Sequence, residues 1–233
     1  KNITSLILVG FMGSLLPALF FALAQTKLPS ALTGIMNALT PFFTIIISVL
    51  FFNVKPDKRV YFGVTLGFLG TLFLISTREN GQLSFNYYAF FVVAATVLYG
   101  INANLIKHYL GGLKSLSIAS LSLIMVGPLA VIYLFLFTPF LDHIHEPKVL
   151  MASGYIVILG VLGTALALIL FNKMVQLTNA VFSTSVTYVI PIISVFWGFI
   201  DGEKLSLIQL ASMLTIMLGI FISNSKKVIK KLG

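Results

Sequence analysis

The chain has 233 residues, 58% of them hydrophobic and 9% charged, with no cysteine and a net charge of +9. A water-soluble domain of this length carries about a quarter charged residues, so most of this surface faces something other than water; disulfides and thiolate metal sites are excluded. The bases sit in short gaps between apolar runs rather than on one polar face, which is how membrane proteins use lysine and argues against a nucleic-acid partner.

A helix needs about 20 apolar residues to cross a hydrocarbon core about 30 Å thick. Eight runs of that kind are predicted, near 5–24, 30–52, 60–76, 87–106, 116–140, 150–172, 179–200 and 205–223. Each is apolar all round, and helices are the spanning solution because lipid offers the backbone no hydrogen bonds. The first run carries Gly10, Gly13 and Ser14, and is too long and too interrupted for a signal peptide. The second carries Thr33, Asn37, Thr40 and, about halfway along, Pro41. The fourth brings Tyr99 and Asn102, the sixth Thr164, and the seventh Ser185, Thr187, Tyr188 and Pro191. Trp197, Tyr61 and Tyr87 read as interfacial anchors. The eighth run follows the charged knot Asp201-Gly202-Glu203-Lys204, and Ser206-Leu-Ile-Gln209 fits a capping box. Glu203 is therefore expected at a helix start, where its charge complements the dipole.

With the N-terminal end placed in the cytoplasm, eleven bases fall in inside gaps, among them Lys58, Arg59, Lys107 and the tail Lys226, Lys227, Lys230 and Lys231. Only Lys27, Arg78, Lys148 and Lys204 fall outside, four in all. The positive-inside bias thus predicts both chain ends to be cytoplasmic in a multi-pass protein of the cell membrane, a bacterial inner membrane.

Segments one to three resemble segments six to eight at an offset of about 150 residues, as internal repeats do. Gly10-Phe-Met-Gly13-Ser14 lies against Gly160-Val-Leu-Gly163-Thr164, Pro41 against Pro191, and Leu69-Gly70 against Leu218-Gly219. The matched segments start on opposite sides, the architecture of many secondary transporters. The fold expected is an all-α, polytopic, inverted-repeat bundle. Residues 1–77 form the remainder of a first repeat, 86–225 a five-helix second repeat, and 226–233 a basic cytoplasmic tail. A five-helix repeat makes these eight helices the last of a probable ten, with two absent; a true eight-helix protein is the plainer alternative.

The stretch GTALALILFNKMVQLTNAVFSTSVTYVIPIISVFWGFIDGEKLSLIQLASMLTIMLGIFIS, with Gly163-Thr164, Pro191, Gly202-Glu203 and Gly219, resembles the C-terminal repeat of the drug/metabolite transporter superfamily, EamA type. ATVLYGINANLIKHYL resembles the first helix of that family's second repeat. The first repeat departs from the pattern, reading Asn53-Val54 where the family has Gly-Glu. The resemblance implies a ten-helix carrier for small metabolites or drug-like amphiphiles.

The two prolines each free the carbonyl four residues earlier, on Asn37 and Thr187. Either each polar side chain satisfies its own broken turn, or both bends face a shared cavity. The expected substrate site is a midplane cavity lined by Asn37, Asn102, Thr187 and Tyr188, with Ser14, Thr164 and Tyr99 nearby. Singly, such hydroxyls serve more often as helix–helix contacts. None of the six acids falls inside a predicted span, and no base lies at mid-depth. That pattern points away from an intramembrane proton relay and a strongly anionic substrate, and toward a neutral, zwitterionic or amphipathic small molecule; with the inverted repeat and the resemblance, the expectation is a permease working by alternating access, with export the expected direction. No cofactor or catalytic role is implied. The rival readings are a membrane-embedded enzyme, for which Asp142-His143-Ile-His145-Glu146 offers metal-binding residue types, and a channel-like subunit. Ser14 has no histidine at its depth to make a serine-type site.

Overall fold

The structure, a computed structural model, describes residues 2–55, 58–75, 86–202 and 206–224. Glu203, the tail 226–233 and the side chains of Ser185, Tyr188 and Pro191 therefore lie outside what is described. The described residues are almost wholly helical, with no strand among them. The helices are α1 (Asn2–Gly10), α2 (Leu16–Gln25), α3 (Ser30–Asn37), α4 (Thr40–Phe52), α5 (Lys58–Ile75), α6 (Ala89–Tyr109) and α7 (Ser115–Phe137). They continue with α8 (Phe140–His143), α9 (Pro147–Ile158), α10 (Ala167–Leu177), α11 (Ala180–Thr184), α12 (Val189–Ile200) and α13 (Leu207–Asn224).

Among the described residues, five helical stretches are long and apolar enough to cross a bilayer: Ile3–Gln25, Ser30–Phe52, Ala89–Tyr109, Ser115–Phe137 and Pro147–Leu177. The expected segments three, seven and eight are helical as well, forming α5, α11 with α12, and α13.

Four of the segments are irregular at mid-length. Between α1 and α2, Phe11–Leu15 is wound as a π-helix, ahead of Pro17, whose missing N–H cannot bond back to Gly13. Between α9 and α10, Leu159–Leu166 is again π-helical, without a proline but with two glycines. These are the two stretches that the repeat alignment pairs. Segment two breaks at Ala38–Leu39, whose N–H groups bond the carbonyls of Ile35 and Met36 at 3.1 and 3.0 Å. Pro41 thus sits in the first turn of α4, where its absent N–H leaves no gap, rather than bending a continuous helix. Segment seven passes through a 3-10 turn at Ser185–Tyr188 before Pro191.

Close packing rests on small residues, as expected where helices associate without a hydrophobic drive. α13 crosses α5 so tightly that a β-carbon on Gly219 would come within 2.5 Å of the Gly63 carbonyl oxygen and 2.6 Å of Gly67 N. A β-carbon on Gly34 of α3 would overlap the Ser194 side chain of α12. On α6, Gly100 lets Thr44 N of α4 approach within 2.9 Å of the same position.

Two apolar clusters close the ends of the bundle. One joins Ala24, Leu28 and Leu32 to Ala89 and Val92; the other joins Leu6 and Val9 to Ile106, Leu110, Ile118 and Val175. At 1.5 Å per residue, the stretch of α6 between them is about 20 Å long. Outward faces are apolar and exposed, as at Leu136, Tyr155 and Leu159, the surface a bilayer covers.

Candidate functional site

Midway between the two clusters lies a cavity of about 500 Å³. The π-helical stretches supply Ser14 and Thr164 to its wall, the breaks in segments two and seven supply Asn37, Thr40 and Thr187, and α6 supplies Tyr99 and Asn102. Tyr99 and Asn102 are three residues apart and so share a helix face. Leu15, Leu123, Val126, Leu168, Phe171 and Ile190 add apolar walls, and no charged residue is described around it. Six of the seven residues expected from the sequence are thereby brought to one space; the seventh, Tyr188, has its backbone in the 3-10 turn beside Thr187. π-Helical insertions and broken helices turn backbone polar groups and short side chains toward such a space.

The polar groups differ in what they have left to offer. Thr187 donates its hydroxyl to the Thr184 carbonyl at 2.7 Å, and Thr40 donates to Asn37 Oδ1 at 3.3 Å. The Thr187 bond satisfies a backbone carbonyl of its own broken turn, whereas the Thr40–Asn37 bond joins two side chains; all three residues still line the cavity. The Tyr99 ring stacks on Phe21 with centroids 6.1 Å apart. Asn102, 3% exposed, leaves Oδ1 without a partner. Its amide lies flat on Gly13, where a β-carbon would stand 2.7 Å from Nδ2 and 2.9 Å from Oδ1.

Other mid-depth polar residues have purely structural ties. Thr33 is buried and donates to the Pro29 carbonyl at 3.0 Å. Asn104 faces α4: its Oδ1 accepts from Ser48 Oγ at 2.7 Å, and its Nδ2 donates to the Thr44 and Gly100 carbonyls at 3.1 and 2.9 Å. The wall from α7 (Leu123, Val126, Gly127, Ala130) had no sequence signal, because it is apolar in an all-apolar run.

At one end of the cavity α6 and α10 are tied together. Lys107 Nζ donates to the carbonyls of Gln176 and Thr178 at 3.1 and 2.6 Å, placing a cation on the C-terminus of α10. Gln176 Nε2 donates in return to the Leu110 and Leu113 carbonyls at 3.2 and 2.7 Å. At the start of α13 the capping box forms: Ser206 N donates to Gln209 Oε1 at 2.9 Å, and Gln209 N to Ser206 Oγ at 3.2 Å. In the loop after α7, His143 Nδ1 meets Glu146 Oε1 at 2.7 Å, and the described residues include no group of three or more metal-ligating side chains.

The sequence model of the EamA-like transporter family matches residues 1–76 and 86–225. No curated protein matches the chain. Five solved chains do. One of these, titled only as the crystal structure of a protein, is 16% identical, with 99% of this chain covering 77% of that one at a TM-score of 0.63. At that identity the likeness is one of fold.

Proposed function

The chain belongs to the EamA-like transporter family, within the drug/metabolite transporter superfamily, and from this premise we propose that it is a carrier that moves a small neutral, zwitterionic or amphipathic molecule, outward from the cell, by alternating access. The observation that carries the reading is the cavity of about 500 Å³ in which the interrupted segments meet. That volume suits a metabolite or drug-sized ligand, and its mix of apolar wall and a few convergent hydroxyls and amides is what such ligands need. An uncharged lining in low dielectric disfavours an isolated ion.

Two relationships support an inverted repeat. The matched π-helical stretches contribute Ser14 and Thr164 to the same cavity, and equivalent helices pack directly on each other, α3 with α12 and α5 with α13. Opposed repeats around a midplane site can rock to open one side or the other. In this reading all eight segments cross, the last eight of ten, with residues 1–77 and 86–225 as the two repeats and both chain ends in the cytoplasm of a bacterial cell.

Reconstitution tests it. Purified protein in vesicles should move neutral amphiphiles saturably and show counterflow when the same compound is loaded inside. Flux without saturation or counterflow would mean a channel, and product formation without flux an enzyme.

A further inference from the structure

We propose that the cavity has a floor subsite for a neutral carboxamide-like group, built from Asn102 and the unassigned Asn172. Asn172, on α10, is 1% exposed, and neither its Oδ1 nor its Nδ2 has a partner. Asn102 Oδ1 is the other buried side-chain atom without one among the described residues. Three unmet atoms in one region of a membrane protein are costly, since a buried polar group without a hydrogen bond loses its hydration for nothing.

Their placement is shared. Asn102 lies four residues before Ile106 on α6, and Asn172 three residues before Val175 on α10. Ile106 and Val175 pack in one cluster, so both amides stand one turn above it, on helices that touch. One turn further from the cluster, both helices line the cavity on the same faces, through Tyr99 and through Leu168. The third helix at this level, α7, presents Ser122, whose hydroxyl already donates to the Ala119 carbonyl at 3.0 Å.

Two acceptors and one donor set the ligand's chemistry. A primary carboxamide matches them: its carbonyl accepts from Asn172 Nδ2, one N–H donates to Asn172 Oδ1, and the other to Asn102 Oδ1. Amide groups pair with such adjacent donor–acceptor edges in bidentate fashion. An aminopyrimidine edge has the same pattern. No charged side chain is described around the cavity, so the match is made without burying a lone charge.

The subsite rests on the cavity being the substrate site, and the test separates the two. Purified full-length protein is titrated with 2-naphthamide and with N,N-dimethyl-2-naphthamide, which keeps the ring and carbonyl but has no N–H. The primary amide should bind at least about tenfold more tightly, the scale of one to two lost hydrogen bonds. Asn172→Leu should bind both alike and unfold at a temperature equal to or above the parent, because two orphaned polar atoms are gone; Asn102→Leu should also lose the preference. Equal binding of both compounds by the parent protein overturns the subsite while leaving the cavity as the binding site. No binding of either overturns both. A lower unfolding temperature for Asn172→Leu with no amide preference would mean that the two asparagines serve each other or a structural water.

Discussion

The side-chain amide of Asn102 rests on the bare Cα of Gly13, so that a β-carbon at position 13 would stand 2.7–2.9 Å from its nitrogen, carbon and oxygen. This contact joins the π-helical stretch of segment one to the cavity face of α6 and holds the amide in the wall. Gly13→Ala should push the amide aside and lower stability by about 1–3 kcal/mol, the usual range for overpacking. Gly154→Ala in α9, where nothing lies within 4 Å, should be neutral or gain up to about 1 kcal/mol from helix propensity. Thermal unfolding of both variants in detergent checks the pair; equal effects would mean that the Gly13 contact is not tight.

Asn102 and Asn104 should behave oppositely. Asn104→Ala removes three hydrogen bonds between and along α4 and α6, leaving Ser48 Oγ only its bond to Thr44 O at 2.8 Å. A loss of about 1–3 kcal/mol of stability is expected, with ligand affinity retained. Asn102→Ala should unfold near the parent temperature and weaken binding several-fold. Unfolding curves and ligand titrations on the same preparations decide it, and a reversed pattern would move the site to the other face of α6.

Because the chain has no cysteine, single-cysteine variants report cleanly. Cysteine replacing Asn37 or Thr187 should react with a small charged thiol reagent from water. Cysteine replacing Phe199, 81% exposed on the apolar outer surface, should react only with a lipid-soluble one. If the first two were inert to the charged reagent while lipid-soluble maleimide labelled them, both would face lipid and the cavity would have no aqueous access.

The basic bias of eleven against four sets the expected orientation. A reporter fused after Lys231 should be cytoplasmic, and a tag inserted between Asp142 and Glu146 should be reachable from outside intact cells. Finding both on one side would break the opposed-repeat reading.

What local chemistry governs was legible in the chain itself. Bilayer thickness fixes the length of an apolar run, so the segment near 30–52 became Ser30–Phe52 and that near 179–200 became Ala180–Ile200. Proline and glycine punctuate locally, so segments two and seven are broken near Pro41 and Pro191, and the matched glycine motifs coincide with the two π-helical stretches. Ser206 and Gln209 cap each other within one turn, as their spacing requires. Rotation was not legible. A helix apolar on every face carries no moment to say which side turns inward, and Asn102 and Asn104, about 200° apart around α6, looked alike as letters. Only packing, through Gly13 on one side and Ser48 on the other, turned one into cavity wall and the other into a structural tie. The same packing set Asn172, which reads from sequence as an ordinary residue near a helix end, one turn from Val175 at the level of Asn102.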